Sequence, residues 1–464
     1  MKKILFLILI MLSFIVIGCQ EQSNDECDYC NDELSSKVSE LEALKANLEK
    51  KISELEKEVS ESDTKNEELK SLVAELERVN NELKNNLNCD CEKKEVYLGI
   101  DLIDENLSIF DGKRVGLITN PTGVNSEYKS SIDVLYEKVN LVSLFAPEHG
   151  IRGNAQAGDS INGEVDPITG IKVNSLYGST KKPTRAMMNE IDVLCIDIQD
   201  VGARFYTYIY TMAYAMEACK EYGKTFVVFD RPNPIGNKVD GNILEQQYSS
   251  FIGLYPIITR HGMTIGELAQ LFNEEFGIGC DLKVVKMKNY DPTLYIDETT
   301  VPWINPSPNM PTLDTAIVYT GTGYFEGLNL SEGRGTTKPF EFIGAPFVNP
   351  HEWADKLNSL GLKGVHFRPM YFTPSFEDHA NKLCGGVQVH VTDRELFSAS
   401  KVGVAMVYTV KELYPNDVSF LTYLKTVTGV DYIYNMEYTM EEVFDIMDAD
   451  IAKFKEMREK YLLY

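Results

Sequence analysis

Val193-Leu194-Cys195-Ile196-Asp197-Ile198-Gln199-Asp200-Val201-Gly202-Ala203-Arg204 is an apolar, β-branched run that turns polar and glycine-bearing at its end. Short runs of that kind, bounded by turn residues, form strands buried on both faces. Similar runs lie at 115–119, 139–146 and 225–229, and helix-length stretches such as 213–221 separate them. Strand, helix, strand at this spacing predicts an α/β fold with a parallel sheet covered on both faces. In such sheets ligands sit beyond the carboxyl ends of the strands, so the residues that follow each run matter most. In chain order these are Asn120; then Glu148-His149-Gly150; then Asp200 and Arg204; then Asp230-Arg231-Pro232-Asn233. No G-x-G-x-x-G fingerprint follows the first run and no phosphate-cradling lysine loop is present, which argues against a nucleotide cofactor.

Beyond residue 255 a helix is predicted at 264–276, among loops rich in Gly, Pro and Asn. Two loops stand out, 305–311 and 326–337. The second sets Glu326, Glu332 and Arg334 among glycines, as a backbone does when it must approach a ligand closely. Hydrophobic residues make up 44% of the 464 and include 25 Tyr and 21 Phe, enough for a sizeable packed core. A formal net charge of -25 repels phosphate backbones, and no basic stripe offsets it, so nucleic acid is excluded as a partner. The His residues are scattered without ligand spacing, so no metal site is expected.

The chain start predicts export. Lys2 and Lys3 precede an apolar stretch too short to span a bilayer and stop, and Val16-Ile17-Gly18-Cys19 resembles a bacterial lipobox. Residues 1–18 are therefore read as a lipoprotein signal peptide and Cys19 as the acylated first residue of an extracytoplasmic, membrane-anchored protein. A linker, 19–33, leads into a heptad frame over 34–87, with Leu34, Leu41, Leu48, Leu55, Leu69, Leu76 and Leu83 at d and Val38, Ile52, Val59, Val73 and Leu87 at a. Asn66 and Asn80 at a pair best with their own copies, which predicts a parallel homodimeric coiled coil reaching about 80 Å at ~1.5 Å per residue. Cys27 and Cys30 before the rod, and Cys89 and Cys91 in the following linker (88–96), read as interchain disulfides outside the cell, with zinc the weaker alternative. Cys195, Cys219, Cys280 and Cys384 are expected to be structural.

From residue 97 to 464 the sequence resembles the exo-β-N-acetylmuramidase NamZ family. The resemblance rests on blocks in one order: Gly116-Leu117-Ile118-Thr119-Asn120-Pro121-Thr122-Gly123, Ala146-Pro147-Glu148-His149-Gly150-Ile151-Arg152-Gly153, Asp197 through Tyr208, Asp230-Arg231-Pro232-Asn233-Pro234, Arg260-His261-Gly262-Met263-Thr264, Pro306-Ser307-Pro308-Asn309-Met310-Pro311 and Ser331-Glu332-Gly333-Arg334-Gly335-Thr336-Thr337. It implies a Rossmann-like subdomain (97–255), a smaller α/β subdomain (256–464), a cleft between them, and release of N-acetylmuramic acid from the non-reducing, MurNAc-GlcNAc ends of peptidoglycan fragments, without a cofactor.

Glycoside cleavage needs a protonated carboxyl for the leaving oxygen and a second group at the oxocarbenium-like centre. Glu148 is the expected acid, since it follows a strand directly and the apolar residues 144–147 beside it are the kind of setting that raises a carboxyl pKa. Glu332 is the expected second carboxylate, with Glu326 and Asp200 as rivals; a 2-acetamido sugar also permits attack by its own carbonyl. Arg204, Arg231 and Arg334 are candidates to grip the lactyl carboxylate, because a planar fork suits bidentate contacts. His149 and His261 are candidates for sugar hydroxyls and Tyr206 and Tyr208 for stacking on the ring. Asn120, Arg152, Asp230, Asn233 and Asn309 complete the expected substrate-binding set. A substrate-binding lipoprotein for muropeptides or other saccharides is the alternative, since it too combines a lipobox with two α/β lobes.

Overall fold

Strands form where the sequence carries apolar runs that can be buried on both faces. β1 (Val115–Thr119) and β4 (Val193–Asp197) are buried at every position, and β2 (Leu141–Ala146) and β5 (Thr225–Phe229) nearly so. With β3 (Val173–Ser175) and β8 (Asp281–Val285) they make a six-stranded parallel sheet in the order β3-β2-β1-β4-β5-β8. The computed structural model describes residues 43, 45–51, 53–54, 71–75, 78, 93–148, 150–152 and 165–464. The strand order reverses direction between β1 and β4, and the crevice outside their carboxyl ends is where such sheets bind ligands.

β8 comes from the stretch that the sequence assigned to the second subdomain, so the sheet extends past residue 255. It pairs with β5 at the sheet edge and alternates exposed with half-buried positions, which is why it lacks the apolar signature of the inner strands. β3 is three residues long and reads Val-Asn-Ser, too short and too polar to register as a run.

The helix Tyr208–Tyr222 is buried along most of its length and ends at Gly223, whose φ of 63° closes the last turn. The helix Ile265–Glu274 starts at a reciprocal cap: the Thr264 hydroxyl accepts from the Glu267 N–H, and the Glu267 carboxylate from the Thr264 N–H. A hairpin, β6 (Asp240–Ile243) with β7 (Ile258–Arg260), lies between these helices in the chain. Beyond it, β9 (Phe342–Ala345), β10 (Val365–Phe372) and β11 (Cys384–Val391) form an antiparallel sheet ordered β10-β11-β9. The helices Leu313–Thr322 and Ala399–Leu413 cross so closely at Gly321 that a Cβ there would stand 1.8 Å from the Ala399 carbonyl oxygen. Residues 93–464 form one compact unit.

In the region of the heptads, residues 43, 45–51, 53–54, 71–75 and 78 are helical. The lipobox, Cys19, the four flanking cysteines and most of the seam lie outside the described residues. Cys195, Cys219, Cys280 and Cys384 are free and buried.

The C-terminal segment ties two buried carboxyls to the sheet. The Tyr464 hydroxyl donates to Asp230 Oδ2 at 2.7 Å, the Leu463 N–H donates to Glu267 Oε1 at 2.8 Å, and Arg458 donates to the carbonyls of His261 and Gly262. Burial pushes Asp230 up to about 6 and Glu267 up to about 7. The folded chain therefore holds protons that the unfolded chain releases near pH 4, and this cluster's contribution to stability falls as pH rises from about 4 through 7. Glu267→Gln keeps an acceptor but cannot ionise. Urea unfolding at pH 5 and pH 8 is expected to show the wild type losing about 2.5 kcal/mol more than the variant between the two; equal losses would exclude Glu267 as the source.

Candidate active site

Pro147 ends β2, and Glu148 follows it half-buried at the carboxyl edge of the sheet. The Thr207 hydroxyl, just before the helix Tyr208–Tyr222, lies 3.5 Å from Glu148 Oε2. The Tyr177 phenol, two residues past β3, also faces this carboxyl; burial first and then Glu148 push the phenol up to about 12. Glu148 is thus held from two sides with part of its surface open.

A second acidic group gathers on the glycine-rich loop. Arg334 Nη1 donates to Glu332 Oε1 at 2.6 Å, and Nη2 donates to Glu326 Oε1. Burial pushes the Glu332 carboxyl up, while Arg334 pulls it back; the two carboxylates hold the guanidinium firmly charged. Its face lies 5.0 Å from the Phe340 ring centroid. The flanking glycines are required, because Gly333 and Gly335 have φ of 82° and 77°, and a Cβ on either would meet backbone atoms at 2.7 Å.

Tyrosines connect the two groups. Burial raises the phenols of Tyr319 and Tyr423 most, and both then feel the negative charge of Glu326 and of Glu148. Tyr319 packs edge-on against Phe205 at 5.0 Å, Tyr206 at 6.1 Å and Phe340 at 4.6 Å, and Tyr206 packs on Tyr208 at 4.9 Å. An aromatic wall therefore runs from the loop after β4 to the glycine-rich loop. Glu148, near one end, and Glu326 with Arg334, at the other, act on the same rings.

The other expected site residues divide. Asn120 and Asp200 lie buried at the ends of β1 and β4, beside this wall. His261 is fully buried; its Nδ1 accepts from the Met263 N–H, which leaves the proton on Nε2, 3.3 Å from Asp200 Oδ2. Arg204 and Arg231 are taken up by protein acceptors. Arg204 is enclosed and donates to the carbonyls of Asn242, Ile257, Val427 and Thr428; the last two end the helix Tyr423–Thr428, so this arginine holds the helix that carries Tyr423. Arg231 grips Asp197 with Nε at 2.5 Å and Nη2 at 3.0 Å. Arg334 spends its fork on the two glutamates. Asp230 is occupied by Thr264, Gly266 and Tyr464, Asn233 closes a turn with Ile235 and reaches the Met263 carbonyl, and Arg152 pairs with Asp166 and Asp133. Asn309 lines a groove with Thr336, Phe342, Phe372 and Phe376 beside the glycine-rich loop. Tyr208 is buried and donates to the Pro306 carbonyl at 2.5 Å, a core role. His149 lies outside the described residues.

The sequence reading missed Tyr177, Thr207, Tyr319 and Tyr423. Thr207 lies inside a quoted block and was within reach of inspection. Tyr177 was missed because β3, which it follows, is too short to register as a run, and Tyr319 and Tyr423 sit in helices, so only the packing brings them to the carboxyls.

Comparison with known proteins adds the following. The model of the N-terminal part of the exo-β-N-acetylmuramidase NamZ matches residues 115–314, and that of its C-terminal part matches residues 317–464. The peptidoglycan β-N-acetylmuramidase NamZ of Bacillus subtilis (strain 168) is 52% identical over 386 residues, covering 81% of this chain and 93% of that protein. Two crystal structures of DUF1343 family proteins from Bacteroides fragilis NCTC 9343 are similar: one at 40% identity with a TM-score of 0.75, the other at 34% with 0.65. Each covers 80% of this chain and 99% of its own.

Proposed function

Because the chain belongs to the exo-β-N-acetylmuramidase NamZ family, we propose that it is a glycoside hydrolase that releases N-acetylmuramic acid from the non-reducing ends of peptidoglycan fragments in cell-wall turnover. Glu148 gives the proton to the leaving oxygen. Glu332 is the second carboxylate, balanced by Arg334, and faces the positive charge that develops at the anomeric carbon. Tyr319 and Tyr423 form a wall against which the sugar ring packs, and the chemistry asks for no cofactor. The observation that carries the reading is that Glu148, from the 97–255 stretch, and Glu326 with Arg334, from the 256–464 stretch, act on the same two tyrosines.

The same proposal covers the chain's start. Residues 1–18 are removed on export, Cys19 is acylated, and a dimeric coiled coil over 34–87 holds the enzyme off the membrane at the distance of its polymeric substrate. Labelled palmitate should enter the wild type and not a Cys19→Ala variant.

The full-length chain incubated with a MurNAc-GlcNAc disaccharide should release free N-acetylmuramic acid. Tight binding of the disaccharide without turnover would instead establish a substrate-binding lipoprotein.

A further inference from the structure

The crevice at the strand-order reversal holds buried polar atoms that meet no hydrogen-bond partner among the described residues: Asn120 Nδ2 past β1, and Gln199 Oε1 and Asp200 Oδ1 past β4. Their side chains are otherwise fixed. Asn120 Oδ1 accepts from both the N–H and the hydroxyl of Thr122, so its Nδ2 is forced to present the opposite edge. Asp200 Oδ2 accepts from the Gly202 N–H at 2.8 Å and faces His261 Nε2 at 3.3 Å, so Oδ1 is the oxygen left over. Gln199 Nε2 is spent on the carbonyls of Asp200 and Pro232. Buried donors and acceptors left unmatched are costly, and a ligand or an ordered water that completes them removes that cost.

The site is close to the proposed chemistry. The Tyr208 phenol oxygen lies close enough to the Asn120 amide to engage one of its two N–H groups, which leaves the other for a ligand, and the phenol feels the charge of both Glu148 and Asp200. Tyr206 and Thr207, which follow on the same loop, are half-buried, and Thr207 touches Glu148.

We propose that Asn120 and Asp200 form the pocket for the 2-acetamido group of the sugar, with Asn120 Nδ2 donating to the amide carbonyl and Asp200 Oδ1 accepting from the amide N–H. The inference rests on the muramidase reading and names the part of the substrate that the crevice recognises. A secondary amide carries one donor and one acceptor on opposite edges, the complement of this pair. A 2-hydroxyl cannot span both, and the lactyl carboxylate is repelled by Asp200. Substrate reaches the pair over the Tyr206–Thr207 rim, turning the Tyr206 ring aside. The acetamido group adjoins the anomeric carbon, so a pocket beside Glu148 also places the scissile bond at the acid. Asp200 and Asn120 act as specificity residues, and Asp200 orients the amide for attack by its own carbonyl if the reaction takes that course.

Asp200→Asn tests this sharply. The Gly202 N–H anchors the amide oxygen in place of Oδ2, which puts an N–H where the acceptor stood. Calorimetry on the full-length chain compares N-acetylmuramic acid with 3-O-lactylglucose, its 2-hydroxy counterpart. The wild type is expected to prefer the acetamido sugar at least tenfold. Both Asp200→Asn and Asn120→Ala should abolish the preference, with melting temperatures reporting that each is folded; the second, less embedded substitution decides if the first does not fold. A preference that survives in a folded variant overturns the pocket. A wild type that releases no N-acetylmuramic acid from the disaccharide overturns the muramidase reading itself.

Discussion

Glu148→Gln is expected to reduce kcat on a MurNAc-GlcNAc disaccharide by about 10³-fold, within the range attributed to positioned general acids. Glutamine fits the same space, and its amide can still meet the Thr207 hydroxyl, so the loss isolates the proton. The decisive control is the leaving group. A sugar oxygen departs only when protonated, whereas 2,4-dinitrophenolate departs unaided, so the variant's loss on a dinitrophenyl β-N-acetylmuramide should shrink to less than about tenfold. If both substrates lose equally, Glu148 is the group at the anomeric carbon and the acid must be sought at Glu326 or Glu332. Tyr177→Phe separates positioning from chemistry. It takes away one neighbour of the carboxyl and leaves the carboxyl itself in place, so kcat on the disaccharide is expected to fall less than about tenfold, far short of the Glu148→Gln loss.

What the sequence made legible follows from burial. β1 and β5 are found at the boundaries read from their apolar runs, and β2 and β4 within one or two residues, because strands enclosed on both faces have a continuous apolar sequence. Glu148, Asn120 and Asp200 were legible for the same reason, since an abrupt polar residue after such a run marks the carboxyl edge. β8 escaped because an edge strand needs only one buried face, and β3 because it is too short to carry a pattern. The arginines illustrate a different limit. Arg204, Arg231 and Arg334 looked alike in their blocks, yet the fold uses one on helix-end carbonyls, one on Asp197 and one between two glutamates. Sequence names the fork but not what fills it. Tyr319 and Tyr423 were invisible because an aromatic that lines a cleft and one that fills a core have the same local pattern.

Arg334→Leu is expected to destabilise the fold by about 3–5 kcal/mol at pH 8, the cost of leaving buried charge without its partner. Glu332 is only 4% exposed at its side chain and Glu326 15%, so solvent cannot take over the cation's role. One carboxyl must then bind a proton to relieve the pair, and the two will titrate together. A folded state that holds a proton the unfolded chain releases gains stability as pH falls, so the deficit should narrow markedly at pH 5. Arg334→Leu with Glu332→Gln removes one of the facing charges outright and should recover most of the loss at pH 8 while remaining inactive. Arg334→Lys keeps the charge but offers a single point in place of a fork, so it should sit between wild type and Leu in stability. Urea unfolding of these variants at both pH values checks the whole series. A Leu variant as stable as the wild type at pH 8 would show that the loop does not depend on this ion triad. The two carboxyls share one cation, and without Arg334 between them their mutual repulsion would drive one of the two to take up a proton.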